Sequence, residues 1–166
     1  MVEMSIYGVS FDLVGKQPIV LLRTADGSRY LPIWVGHPEA AAILMKLQEK
    51  TAPRPLTHDL LLNVLGVLDA EVLRVTVTEL RNNTFHATIT LRHDGAEIEV
   101  DSRSSDALAL AIRAGAPIYA SDEVVAESAI EFDENGQSEE DMVDEFKQFL
   151  DSVSADDFVE SDPDSP

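Results

Sequence analysis

The feature that most limits the fold is an uninterrupted apolar run at residues 107–112 that is followed by a helix stop. Six apolar residues in a row leave a helix with no polar face in its middle, so a helix formed here has to be buried. Gly115 tolerates the left-handed conformation of a helix end, and Pro117 prevents the helix from continuing. We therefore expect this helix in the core.

Polar residues stand at two helix starts, one before this run and one after it. They are Ser104, Ser105 and Asp106 at the first start and Ser121, Asp122 and Glu123 at the second. Side-chain oxygens of such residues accept hydrogen bonds from the free N–H groups of a first helical turn, so both sets are predicted to be caps. The two starts could face one pocket, or they could be caps and nothing more.

Alternation of apolar and polar residues predicts a meander of three strands at residues 4–14, 19–23 and 30–35. Two helices follow, and then three more strands, with turns at Asn82-Asn83 and Asp94-Gly95. Strands and helices occur in separate blocks rather than in strict alternation. This favours an α+β fold, with antiparallel or mixed sheets and packed helices.

The second of the two helices, predicted at residues 57–68 with Thr57 as its cap, is apolar around almost its whole circumference. One sheet face cannot cover so wide a surface. The helix is therefore predicted to be central or to lie at an oligomer interface.

The 166 residues suffice for one domain of about 130 residues and a tail. The absence of cysteine excludes disulfides, thiolate zinc sites and cysteine nucleophiles. The N-terminus begins with a strand pattern and has no apolar run of signal length, and no stretch approaches the ~20 apolar residues of a membrane span. We expect a cytoplasmic protein that does not enter a membrane.

The net charge of −19 is unevenly distributed. Residues 1–130 hold 17 acidic against 11 basic residues, a net charge of −6, whereas residues 131–166 hold 14 acids against Lys147 alone, a net charge of −13. Because nucleic-acid binding depends on clustered Lys and Arg, a polyanionic substrate would need a local basic patch or bound cations.

The tail, residues 133–166, is predicted to be an acidic linker, an amphipathic helix at 139–153 and a disordered end. The division into domains is therefore 1–132 for the folded unit and 133–166 for the tail. The helix could dock on its own domain or recruit a protein partner.

The chain has no phosphate-binding glycine loop, metalloprotease histidine pair, nucleophile elbow or dinucleotide fingerprint. The remaining candidates are Glu39, Arg54, His58, Asp59, Asp101, Arg103, Ser105, Asp106 and Glu123. Helix dipoles, caps and local ion pairs would explain each of them without any function. Together they are also the groups that phosphoryl chemistry uses, since acids hold Mg²⁺ or Mn²⁺, arginine binds phosphate oxygens and histidine transfers protons.

Three segments resemble the bifunctional nuclease family, in order and with matching spacing. They are residues 31–36 (LPIWVG) leading to Glu39-Ala40, residues 54–61 (RPLTHDLL), and residues 101–107 (DSRSSDA) running to 117–119 (PIY). The resemblance covers residues 3–130. The third segment departs from the family pattern, because Ser104 stands where a proline is common.

The resemblance implies an α+β homo-oligomer with nuclease activity on RNA and DNA, assisted by Mg²⁺ or Mn²⁺. His58, Asp59 and Asp106 are then the catalytic candidates, and Asp59, Asp106 and Glu123 the metal-binding ones. Arg54, Arg103 and Ser105 would bind substrate, with Glu39 and Asp101 as further motif positions. The competing hypothesis is a non-catalytic, oligomeric binding or regulatory module whose acidic tail recruits a partner.

Overall fold

The computed structural model describes residues 1–11 and 16–131. The strands are β1 (Val2–Phe11), β2 (Pro18–Thr24), β3 (Arg29–Trp34), β4 (Glu71–Arg81), β5 (Thr84–His93), β6 (Ala96–Arg103), β7 (Ile118–Ala120) and β8 (Ile130–Glu131). The helices are α1 (His37–Leu47), α2 (Thr57–Val67), α3 (Ser104–Ala114) and α4 (Asp122–Ser128). The predicted linker, helix and end of residues 133–166 lie outside the described residues.

The eight strands of the described part form one sheet in the order β6-β5-β4-β7-β1-β2-β3-β8. Its neighbours are antiparallel except for β4 and β7, which are parallel. Two antiparallel meanders, β1–β3 and β4–β6, are joined by β7, which pairs with β1 on one side and with β4 on the other. The predicted α+β fold with a mixed sheet is confirmed.

Helix α3 forms the centre of the core, as its apolar run predicts. Residues 107–111 are at most 1% exposed, and α3 packs against α1, α2, β4 and β5. The alternating alanines let these neighbours approach closely. The helix ends at Gly115, which adopts the left-handed conformation with φ +66°. The predictions of burial and of the stop are both confirmed.

The predicted caps have different outcomes at the two helix starts. Ser121 caps α4, because its Oγ accepts a hydrogen bond from the Val124 N–H at 3.1 Å. At α3 the prediction is wrong: the cap position is Arg103, with no side-chain cap bond, and Ser104 and Ser105 are buried in the first turn. Asp106 instead directs its carboxylate towards side chains of other elements.

Helix α2 packs on α3 through one side only. Its other side exposes large apolar residues to solvent, including Leu60, Val64 and Val67, the last of which is 84% exposed. The helix is therefore not central, which leaves the oligomer interface as the open alternative.

Within the described residues, no helix combines the length and the apolar character needed to cross a membrane.

Candidate functional site

Four charged or titratable side chains converge where the first turns of α1, α2 and α3 meet the end of β6. The Arg103 Nε donates to Asp106 Oδ2 at 2.7 Å, and the Arg103 Nη2 donates to Glu39 Oε1 at 2.7 Å. His58 Nε2 lies 2.9 Å from Asp106 Oδ1. We call Glu39, Arg103, Asp106 and His58 the first-turn network.

Residue position and packing explain why these groups meet. Asp106 lies three residues after Arg103, so a helix starting between them brings the two side chains to one side. His58 is buried in the first turn of α2, where α2 packs on α3. Glu39 lies in the first turn of α1, which also packs on α3.

The site at Glu39 depends on the glycine that precedes α1. A Cβ atom at Gly36 would collide with the Glu39 carboxylate. Gly36 has an ordinary extended conformation with φ −71°, so the requirement is for space rather than for an unusual backbone. Gly36 thus leaves space for the Glu39 carboxylate in the position where it accepts from Arg103.

The charges within the network are mutually stabilised. Burial raises the pKa of Asp106, but the bonds from Arg103 and His58 outweigh it and hold the pKa below its usual value. The bonds to Asp106 and then to Glu39 raise the pKa of Arg103. Asp106 is therefore ionised at neutral pH. If His58 donates from Nε2 to this carboxylate, Nδ1 is the ring nitrogen left for proton transfer.

The network stands at the polar end of a groove of about 830 Å³ between α2 and the sheet. The walls are mainly aliphatic and come from α2, β5, β6 and α3; they include Leu61, Leu65, Ile89, Leu91, Val100 and Leu110. The polar end adds Thr57, Asp101 and Ser102 to His58, Arg103 and Asp106. The groove therefore offers an apolar surface that leads to a proton-transferring pair and an arginine.

Asp59, although adjacent to His58, faces away from this groove. Its Oδ2 accepts from the Leu56 N–H at 2.9 Å, and its Oδ1 accepts from Arg113 Nε at 2.8 Å. Burial raises the pKa of Asp59, but these two donors outweigh it and lower the pKa overall. Asp59, rather than the predicted Thr57, therefore supplies the cap of α2, and it also anchors α2 to α3.

The predicted site residues are thus divided between several places. His58, Asp101, Arg103 and Asp106 share the groove, and Glu39 contacts it through Arg103. Arg54 and Asp59 line a second cleft on the opposite side of α2. Ser105 is 6% exposed in the first turn of α3 and is not among the groove-lining residues.

Glu123 lies apart from both clefts. It follows β7, which is three strands from β6 in the sheet, a separation of about 14 Å at the usual strand spacing. Asp59 and Asp106 face different clefts, and protein donors engage both oxygens of each. Accordingly, no group of three His, Asp or Glu side chains within residues 1–11 and 16–131 is arranged to hold a metal ion. Asp59, Asp106 and Glu123 do not form one ligand set in a single chain.

Arg113 is the structural residue that the sequence motifs missed. Its side chain is 6% exposed, and besides Asp59 it donates to the carbonyl oxygens of Ala42 and Ala109, each at 2.9 Å. One signal was present: a single arginine in an otherwise apolar, buried helix requires an acidic partner. The sequence does not show which acid provides it.

Comparison with known proteins agrees with the family resemblance of the three sequence segments. The profile of the bifunctional nuclease domain matches residues 20–133. Two uncharacterized proteins of Mycobacterium tuberculosis, MT1877 of strain CDC 1551 / Oshkosh and Rv1829 of strain ATCC 25618 / H37Rv, are similar to the chain. Each is 40% identical to it over 162 residues, which cover 94% of this chain and 97% of the relative. The match includes the first-turn network, both faces of α2 and most of the sheet. The chain therefore belongs to the bifunctional nuclease domain family.

Proposed function

We propose that the protein is a nuclease that hydrolyses phosphodiester bonds of RNA and DNA at the first-turn network. The observation that carries the proposal is the contact between His58 and Asp106 beside a solvent-facing arginine, at the end of an open groove. A histidine oriented by a carboxylate is the usual arrangement for general acid or base catalysis.

Arg103 is suited to contact the substrate phosphate. Its side chain is 64% exposed, and its bonds to Asp106 and Glu39 use Nε and Nη2. A guanidinium has five N–H donors, so those on Nη1 stay free for a phosphate oxygen. The two carboxylates hold the guanidinium plane in place, and His58 would transfer the proton.

Dependence on Mg²⁺ or Mn²⁺ is part of the proposal and rests only on what the resemblance of the three segments implies. Magnesium sites commonly use one or two protein carboxylates together with substrate phosphates. Asp101 and Asp106 are the acids on the groove wall, and Asp106 would serve in this way through the oxygen lone pairs that its bonds to Arg103 and His58 leave open. Such an ion would supply positive charge at a site where two carboxylates of the network outnumber its arginine.

The test is cleavage of labelled single-stranded RNA and DNA with Mg²⁺, with Mn²⁺ and with EDTA. We expect His58→Ala and Asp106→Asn to lower the rate by about 10²-fold or more, with His93→Ala on the outer end of β5 as the matched control. Activity that survives both site changes, while contaminating nuclease is excluded by chromatography, would remove the assignment. Unchanged cleavage in EDTA would remove the metal requirement.

The second candidate function is a binding or regulatory module, in which the same residues are structural. It is favoured by the complete engagement of the Asp59 and Asp106 oxygens by protein donors. It predicts no cleavage by the native chain and a lower melting temperature for Asp106→Asn. A variant that is inactive but melts like the native protein distinguishes the nuclease from this module. A protein partner for the acidic tail belongs to this candidate.

Homo-oligomer formation is proposed through α2. The stretch from Leu60 to Leu68 carries no charge, and Val67 and Leu68, which do not line the groove, are both well exposed. A charge-free surface can meet its own copy without burying unpaired ions, so a second copy of the chain is its expected occupant.

A further inference from the structure

The cleft on the other side of α2 has an unusual charge for this protein. It encloses about 450 Å³ and is lined by Lys46, Lys50, Arg54 and Arg113, with Asp59 as the acid among them. Four cations against one carboxylate give a local charge of +3, although residues 1–130 have a net charge of −6. We call Lys46, Lys50 and Arg54 the cationic cleft.

The three cations of the cleft have no carboxylate partner among residues 1–11 and 16–131. Within the described part of the chain, none of them forms an ion pair, whereas Arg74, Arg92 and others on the sheet do. A lysine in the last turn of α1 complements the helix dipole, which explains Lys46 but neither of the others. Among the described residues, these three cations on one concave surface are therefore left without a carboxylate and can bind an anion.

The backbone of the cleft is stiffened around its arginine. Pro53 and Pro55 flank Arg54, and each proline fixes its own φ, while Pro55 also disfavours a helical conformation at Arg54. At the base, Arg113 is held by Asp59 and two carbonyl oxygens. The cleft can therefore receive an anion with little loss of backbone freedom.

The cationic cleft and the groove lie on opposite faces of α2. Asp59, Leu62 and Asn63 face the cleft, whereas His58, Leu61 and Leu65 face the groove. A helix with its side chains is about 10–12 Å across, whereas each nucleotide advances a duplex strand by about 3.4 Å along the duplex axis. A strand that contacts both places therefore has to pass around α2 and span more than one nucleotide.

We infer that the cationic cleft is a phosphate-binding subsite that holds a nucleic-acid strand more than one nucleotide from the bond at the first-turn network. This rests on the proposed nuclease function for its substrate. The group that the cleft recognises is a phosphate. The guanidinium of Arg54 would form a bidentate pair of hydrogen bonds to it, and the two lysines would add positive charge. It follows that a dinucleotide, whose one phosphodiester lies at the first-turn network, lacks this contact.

Binding is measured in EDTA, where cleavage is suppressed, by fluorescence anisotropy of a labelled single-stranded decamer over a series of salt concentrations. We expect Arg54→Glu and Lys50→Glu to weaken binding by about tenfold each, and each lost contact to flatten the salt dependence by about 0.7. Lys16→Glu, an exposed position before β2, changes the net charge equally and serves as the control. Equal loss in the control, or no loss in the cleft variants, would overturn the inference.

Two competitors identify the anion. Inorganic pyrophosphate should displace the decamer from the native protein and have less effect on the cleft variants. If a glutamate decapeptide displaces it equally well, the cleft is a carboxylate-binding protein surface and the inference is wrong. This binding test can be separated from the nuclease proposal, because the anisotropy measurement gives the same result whether or not the protein cleaves the decamer. If cleavage is present, the cleft variants should slow cleavage of the decamer and leave a dinucleotide unaffected.

Discussion

The clearest quantitative prediction concerns Asp59, which is a catalytic and metal-binding candidate by motif and an anchor by its contacts. In Asp59→Ala the Leu56 N–H loses its acceptor, at a cost of about 1 kcal/mol for a lost cap. Arg113, which is 6% exposed, also loses its only carboxylate partner within the described residues. A hydrogen bond between charged groups contributes about 1.5–3 kcal/mol, and we reduce this to about 1–2 kcal/mol because Asp59 is 39% exposed and screened by water.

The expected loss in free energy of unfolding is therefore about 2–3 kcal/mol. For a domain of this size it corresponds to a melting temperature lower by about 6–15 °C. Asp59→Asn keeps one oxygen, so it can accept from only one of the two donors and turns its NH2 group towards the other; it should lose about 1–2 kcal/mol. Glu99→Ala, at an exposed position of β6, is the control and should stay within about 0.5 kcal/mol.

The measurement is urea or thermal unfolding followed by circular dichroism, with cleavage assayed on the same preparations. If Asp59 is an anchor, Asp59→Asn keeps most of its activity and Asp59→Ala loses stability before anything else. The reasoning is refuted if Asp59→Asn melts like the native protein and loses cleavage by about 10²-fold or more, because that loss is typical of a missing acid or base.

Three further predictions concern other elements. Gly36→Ala should displace the Glu39 carboxylate from Arg103 and so lower the cleavage rate without unfolding the protein. Cleavage rates and melting curves measured together test this, and a variant that cleaves as fast as the native protein would contradict it. Because the pKa of Asp106 is lowered on folding, the unfolded state binds more protons near pH 4, and the free energy of unfolding falls as the pH drops through that range. In an acid titration, Asp106→Asn should lose stability less steeply than the native protein, and identical curves for the two would contradict this. Val67→Lys should dissociate a homo-oligomer formed through α2, as judged by light scattering, and an unchanged mass would exclude this surface.

Local sequence patterns predicted the parts of the fold that depend on neighbours in the chain. The apolar run of α3 and the stop at Gly115 are correct, since burial of a helix and the conformation of its end are decided within a few residues. The three-stranded meanders are correct for the same reason. The cap of α2 was wrong because Thr57 and Asp59 are both suitable, and only packing against Arg113 decides between them.

Those local patterns could not predict contacts between residues that are far apart in the sequence. The motif residues Asp106 and Glu123 are close in sequence and begin similar helices, yet β7 enters the sheet between β4 and β1 and carries Glu123 away from the end of β6. The proximity of Glu39 to Arg103, 64 residues later, follows from the packing of α1 and α3 on each other. The family resemblance identified these residues as motif positions, but it did not predict which of them contact each other.

The first turn of α2 connects the two places where chemistry is proposed. Adjacent helical residues point about 100° apart, so His58 faces the groove while Asp59 faces the cationic cleft and holds α2 to Arg113. A substitution that loosens the Asp59 anchor must therefore also move His58 relative to Asp106, which lies on α3 with Arg113. Loss of cleavage in an Asp59 variant thus cannot by itself assign chemistry to that carboxylate. Reduced activity that recovers when α2 is stabilised elsewhere, for example by Gly66→Ala at an exposed helical position with open space for a Cβ, would identify the effect as displacement of His58.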